Sequence, residues 1–204
     1  MRHYFKNKWR LMAIFSFFFL LFFLYYNKTL FFQKSISSFL TIKSVPSVSL
    51  ETALVGEKEN YPLYLKIPVI GVNAQVEYVG LNSAGEMGVP KDSNNVAWFD
   101  LGPFPGEGGS AVIAGHFDDE SGQEAVFFNL KNIKKDDKIF VENGKGYITT
   151  FVVRDIRVYD SEAFAPEIFN SIDGRHLNLI TCMGPWSKAQ NKYMQRLVIF
   201  ADLE

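Results

Sequence analysis

Cysteine is almost missing from this chain of 204 residues: Cys182 is the only one, so an internal disulfide is excluded. An excess of either charge is also missing. Lys and Arg total 21 against 22 Asp and Glu, a formal net charge of -1. That balance excludes nucleic acid as the main partner, because phosphate binding needs a clear surplus of cations. No internal repeat and no long low-complexity tract occurs, so repeat architectures are excluded. What the chain has in quantity is Phe, 20 residues within an aromatic content of 16%. Much of that Phe lies near the N-terminus, so the averages conceal two different regions.

Arg2, Lys6, Lys8 and Arg10 precede an uncharged run over residues 11–27 that is dominated by Phe and Leu and resumes after Lys28 with Leu30, Phe31 and Phe32. A bilayer core takes about 20 mainly apolar residues as helix, and backbone crossing lipid must satisfy its own hydrogen bonds. The reading is a basic cytoplasmic flank over residues 1–10 and a transmembrane helix over 11–33, with the bulk of the chain outside the cell. A cleaved signal peptide is the rival, with Ser35-Ile36-Ser37 as a loosely fitting cleavage site. Residues 34–60 are Ser-rich and read as a spacer.

Residues 61–204 are expected to form one domain. Short β-rich runs recur at 63–67, 74–79, 111–114, 138–142, 147–159, 177–181 and 197–201, with Asn143-Gly144 as a hairpin signal. The expected fold is mostly β, a closed seven- or eight-stranded barrel. Two short helices are expected, over 123–130 and over 161–169, the second with Ser161 as N-cap.

Three pieces carry possible chemistry. Ala114-Gly115-His116 ends an apolar run, so His116 is expected in a loop at the sheet's rim. Leu179-Ile180-Thr181-Cys182 ends a second run, and Gly184-Pro185 is expected to break the strand there. Arg196 is expected to open the last strand. If the last two runs are antiparallel neighbours joined by a loop over 183–195, Cys182 and Arg196 meet at one rim. Taken singly, these residues read as a buried small hydrophobe, a solvated loop histidine and a solvated arginine. Taken together they supply a thiolate nucleophile, a proton donor and a permanent cation with rigid donors, the parts of a covalent acyl-transfer site.

These motifs resemble the sortase family, whose signatures pair a His after a strand with a Thr-Leu-Ile-Thr-Cys-like strand and a downstream Arg on the next strand. Here they read Val112-Ile113-Ala114-Gly115-His116, Leu177-Asn178-Leu179-Ile180-Thr181-Cys182 and Arg196-Leu197-Val198-Ile199. The turn Gly115-His116-Phe117-Asp118 and the stretch Cys182-Met183-Gly184-Pro185 are most similar to class F. Trp186-Ser187 departs from the Phe-Asp pair expected there.

The resemblance implies a sortase-like barrel and a cysteine transpeptidase that cleaves a Leu-Pro-x-Thr-Gly type sorting signal through a thioacyl enzyme. It implies catalytic roles for Cys182, His116 and Arg196, and substrate contacts at Thr181, Gly184 and Trp186. It also implies no metal or organic cofactor. The implied partners are surface proteins carrying a sorting signal, a peptidoglycan or cell-wall precursor amine of a Gram-positive bacterium, and the cell membrane.

Asp118, Asp119, Glu120 and Glu124 read as a solvated acidic loop, with calcium as the rarer alternative. Other cysteine peptidases fit less well. The caspase Gln-Ala-Cys signature is absent, papain-like enzymes have the opposite order, and an L,D-transpeptidase would need His176, which reads as a strand-start residue. The non-enzyme alternative is an anchored β-barrel binding module.

Overall fold

The computed structural model describes residues 61–204. The expected flank, anchor and spacer over residues 1–60 lie outside the described residues. Among the described residues no helix is long and apolar enough to cross a membrane.

Eight strands close into a barrel. They are β1 (Pro62–Ile67), β2 (Val72–Val79), β3 (Val96–Phe99), β4 (Gly109–Gly115), β5 (Lys138–Asn143), β6 (Ile148–Asp160), β7 (Arg175–Ser187) and β8 (Lys192–Leu203). Their order around the barrel is β1-β2-β3-β4-β7-β8-β6-β5, and β5 pairs with β1 to remove the edges. Two pairings are parallel, β2 with β3 and β4 with β7. Parallel neighbours need a crossover, but they bring strand ends of the same sense to one rim.

Alternation along the strands makes two cores. Leu177, Leu179, Leu197 and Ile199 join the interior with Trp98, Phe127 and Phe151. Val112, Val198 and Phe200 face outward and are covered by Ile168, with Ile180 and Phe99 packed against them. The outward face of β4, β7 and β8 is therefore a second apolar surface under long connections. Cys182 has the same parity as Asn178 and Ile180 and belongs to that face.

The structure corrects several sequence expectations. Neither short α-helix forms. Over 123–130 there is only a 3-10 turn, Phe128–Asn132. The Asp119 carboxylate accepts from the backbone of Ser121 and Gln123, which competes with a helical start. Over 161–169 there is only a 3-10 turn, Pro166–Ile168, and its N-cap residue is Ala165 rather than Ser161. Pro166 has no N–H and disfavours helical backbone in the residue before it.

β7 is not broken at Gly184-Pro185. It runs to Ser187 through a β-bulge between Met183 and Trp186, where Gly184 has φ +82°. A bulge tolerates the missing N–H of Pro185. The β7–β8 turn is thus confined to residues 188–191, and Arg196 is the fifth residue of β8 rather than its first. The turn after Asn143 is also longer than an Asn-Gly pair. The positive φ falls on Gly146, and Asn143 Oδ1 accepts from Lys145 N at 3.0 Å.

Gly115 ends β4 where the chain needs space. A Cβ there would lie 2.5 Å from the Phe127 ring, which is fully buried. Gly115→Ala is expected to cost about 1–3 kcal/mol through overpacking. Chemical denaturation should show that loss as a lower midpoint with an unchanged slope.

Candidate active site

Two pairings build the site. In the antiparallel β7–β8 hairpin, Cys182 and Arg196 are direct register partners. In the parallel β4–β7 pair, Ala114 is partnered with Ile180, so β4 ends one residue later, level with Thr181. His116, the next residue, is carried to the same rim as Cys182. Thr181 secures this junction: its buried hydroxyl donates to Gly115 O at 2.9 Å. Of the two groups by which Thr181 is expected to help at the site, hydroxyl or backbone, the hydroxyl is engaged in this bond. It points into the barrel, and its proton is already committed.

Two clefts share the thiol. The first, about 700 Å³, lies on the outward face; Ala114, Ile180 and Val198 line it together with Met87, Phe169, Cys182 and Arg196. The second, about 1030 Å³, is lined by His116, Lys91, Asp118, Trp186, Tyr193 and Cys182. Cys182 and Arg196 therefore share one cleft, and Cys182 and His116 share the other. Trp186 is 48% exposed and meets Tyr193 edge-on at 5.1 Å. Gly184 has a backbone role: its φ of +82° makes the bulge, and a Cβ there would approach Gln195 Oε1 to 2.4 Å.

Arg196 Nη1 donates to Tyr193 O at 3.1 Å and to Gln195 O at 2.9 Å. These bonds hold the guanidinium beside its own strand, and among the described residues Nε and Nη2 make no hydrogen bond. His116 Nε2 lies 2.8 Å from Pro90 O. Burial pushes the Cys182 thiol above its usual pKa; Arg196 opposes this and Asp118 adds to it.

Two further residues escaped the sequence reading as parts of the site. The Tyr193 hydroxyl donates to Asp118 Oδ2. In the sequence Asp118 stands out only in the Gly115-His116-Phe117-Asp118 turn and the acidic loop, with no link to Tyr193. That hydrogen bond comes first among the causes, with burial and the charges of Asp118 and Cys182, that raise Tyr193 to about 12. Asp118→Asn removes the carboxylate charge from both neighbours. Tyr193 is then expected to fall toward its ordinary value of about 10, read by ultraviolet titration. The Cys182 thiol should fall with it, read as faster alkylation at fixed pH.

The acidic residues near His116 do not converge. Asp118 faces Tyr193, and Asp119 accepts from Ser121 N, Ser121 Oγ and Gln123 N at 2.7–2.9 Å. Among the described residues no group of three or more His, Cys, Asp or Glu is placed to hold a metal ion. His176 pairs with Asp202 at 2.6 Å. It lies six residues before Cys182 on β7, about 20 Å away at strand spacing.

The family model described as Sortase domain matches residues 65–204. No curated protein matches the chain. The chain is similar in structure to sortase A of Listeria monocytogenes, at 20% identity over 70% of this chain and 87% of that one, with a TM-score of 0.53. It is similar to the sortase D5 transpeptidase of Clostridium perfringens, at 22% identity over 69% of this chain and 77% of that one, with a TM-score of 0.52. It is also similar to Clostridium perfringens sortase C with the C-terminal cell wall sorting motif, at 20% identity over 72% of both chains, with a TM-score of 0.54. At these identities the structural likeness is one of fold.

Proposed function

The chain belongs to the sortase family, and we propose that it is a cysteine transpeptidase acting on a sorting signal of Leu-Pro-x-Thr-Gly type. The observation that carries this reading is the position of Cys182 between two clefts, with Arg196 in one and His116 in the other. Such a division suits a transpeptidase, because the acyl donor still occupies one side as a thioester when the amine acceptor must reach its carbonyl carbon.

The apolar groove suits the Leu and Pro side chains of the signal, which would lie over Ala114, Ile180 and Val198. The Cys182 thiolate attacks the Thr carbonyl carbon, and Arg196 donates to the oxyanion. The C–N bond breaks, the departing Gly amine takes a proton from His116, and a thioester remains on Sγ. An acceptor amine then enters by the wider cleft, loses a proton to His116 and attacks the thioester. A new amide forms and the Cys182 thiolate leaves. Every step is an acyl or proton transfer among protein and substrate groups, so the reading calls for no cofactor.

The acceptor in this reading is a cell-wall precursor or peptidoglycan amine, and the donor is a surface protein. The domain works outside the cell, held at the membrane by an anchor at residues 11–33 with its N-terminus cytoplasmic. The Gly115-His116-Phe117-Asp118 turn supports assignment to class F. Trp186, beside Cys182 in the wider cleft, is the proposed substrate contact on that side.

The test is incubation of the full-length chain with a Leu-Pro-x-Thr-Gly peptide and an amine acceptor, followed by mass spectrometry. An acyl adduct on Cys182 that the amine discharges is the expected result. Absence of an adduct across several signal sequences would overturn the reading.

A further inference from the structure

We infer that Glu77, a β2 residue outside both clefts, is a positioning residue that sets which nitrogen of His116 carries the proton.

The Pro90 carbonyl lies 2.8 Å from His116 Nε2. A carbonyl oxygen only accepts, so Nε2 is the donor, and in the neutral ring the lone pair is on Nδ1. Pro90 lies in the connection between β2 and β3, and no strand pairing holds it there. Before Pro90 the connection is tied by Gly88 N to Gly80 O at 2.9 Å; after it, the anchor is the Glu77 carboxylate. Its Oε2 accepts from Lys91 N at 2.9 Å, and its Oε1 accepts from Asp92 N at 3.2 Å and Asn95 Nδ2 at 3.0 Å.

The residue bonded by Oε2 directly follows Pro90, so the peptide unit that carries the Pro90 carbonyl is the one Glu77 grips. Partial burial pushes the Glu77 carboxyl up, but the hydrogen bonds from Lys91, Asn95 and Asp92 outweigh it and hold the group below its usual range. Glu77 is thus ionised as an acceptor at neutral pH. A second tie, Val126 N to Ser93 O at 3.0 Å, joins the same loop to the segment after His116.

This inference rests on His116 being the proton donor of the proposed transpeptidation. With Nε2 committed to Pro90 O, the proton exchanged with the leaving and entering amines moves at Nδ1. Releasing the loop frees the ring to adopt either tautomer and to turn. The same connection also lines the apolar groove through Met87 and Val89, so the tautomer of the ring is the readout specific to His116.

The experiment uses the full-length chain with 15N-labelled histidine, which contributes only three rings, the His116 signals being identified by their loss in His116→Gln. Nitrogen chemical shifts then report the tautomer directly. The wild-type His116 ring is expected to carry its neutral-form proton on Nε2. Glu77→Ala should give a mixture of tautomers and lower kcat about 10-fold, a fraction of what a general acid supplies. Glu77→Gln, which keeps one acceptor oxygen, should fall between.

If Glu77→Ala does not fold, Asn95→Ala, which removes one of the three bonds, should move both readouts the same way by less. A wild-type ring protonated on Nδ1 would overturn the inference, as would a Glu77→Ala ring unchanged in tautomer whatever its kcat. Failure of the wild type to transfer acyl groups at all would instead count against the transpeptidase reading, since the ring measurement needs no turnover.

Discussion

Cys182→Ala is expected to remove acyl transfer, with a loss on the order of 10⁴-fold or more, as when a covalent catalyst loses its nucleophile. The denaturation midpoint should stay close to that of the wild type. The second half follows from the side the residue occupies. Thr181 and Leu179 point into the barrel and are buried there, whereas Cys182 faces the clefts and is only partly covered. Truncating it opens no interior cavity. Cys182→Ser should be nearly as inactive, because a hydroxyl beside Arg196 remains protonated where a thiol can ionise.

The same thiol fixes a pH dependence. Burial raises its pKa and Asp118 raises it further, with Arg196 pulling the other way. The net shift is upward, so near neutral pH the free protein carries mostly thiol. Alkylation by iodoacetamide should therefore accelerate as pH rises through neutrality and level off only in the alkaline range. A plateau already reached in mild acid would mean that a preformed thiolate dominates. An Ala variant that still transferred acyl groups would remove Cys182 from the mechanism altogether.

The parts of this site differ in how visible they were before folding. The meeting of Cys182 and Arg196 was legible because the two are joined by one antiparallel hairpin, and hairpin register follows from local pattern. Even so, the hairpin is longer than its sequence suggests. Gly184-Pro185 reads as a stop, but the bulge absorbs both residues and carries pairing on to Ser187. The arrival of His116 depends on the parallel β4–β7 pairing, which joins segments 66 residues apart. Position at a strand end could suggest a rim but not which rim.

β3 escaped notice for a different reason. It has four residues, of which Val96, Ala97 and Trp98 are all buried, so it shows no alternation. The hydrogen bond between Tyr193 and Asp118 spans 75 residues. The Pro90 carbonyl, being backbone, leaves no residue-type signature at all. The barrel could thus be anticipated from periodicity, whereas the polar contacts that tune its site belong to tertiary structure alone.

Arg196→Ala is expected to lower kcat/KM by on the order of 10²–10³, the usual cost of losing an oxyanion donor. Its two bonds to the main-chain carbonyls of Tyr193 and Gln195 come from Nη1, so the planar group is oriented before substrate arrives. Nη2 and Nε carry the donors left for the groove shared with Cys182. Arg196→Lys separates the charge from this geometry. An ammonium preserves the positive charge that favours the thiolate but loses the fixed fork. Iodoacetamide titration should therefore find the Cys182 pKa raised in the Ala variant and close to wild type in the Lys variant. Acyl transfer should stay low in both. If Lys restored turnover as well, orientation of the guanidinium would have no part in catalysis. If Ala left the thiol titration unmoved, the cation across the register pair would not be what holds the thiolate within reach.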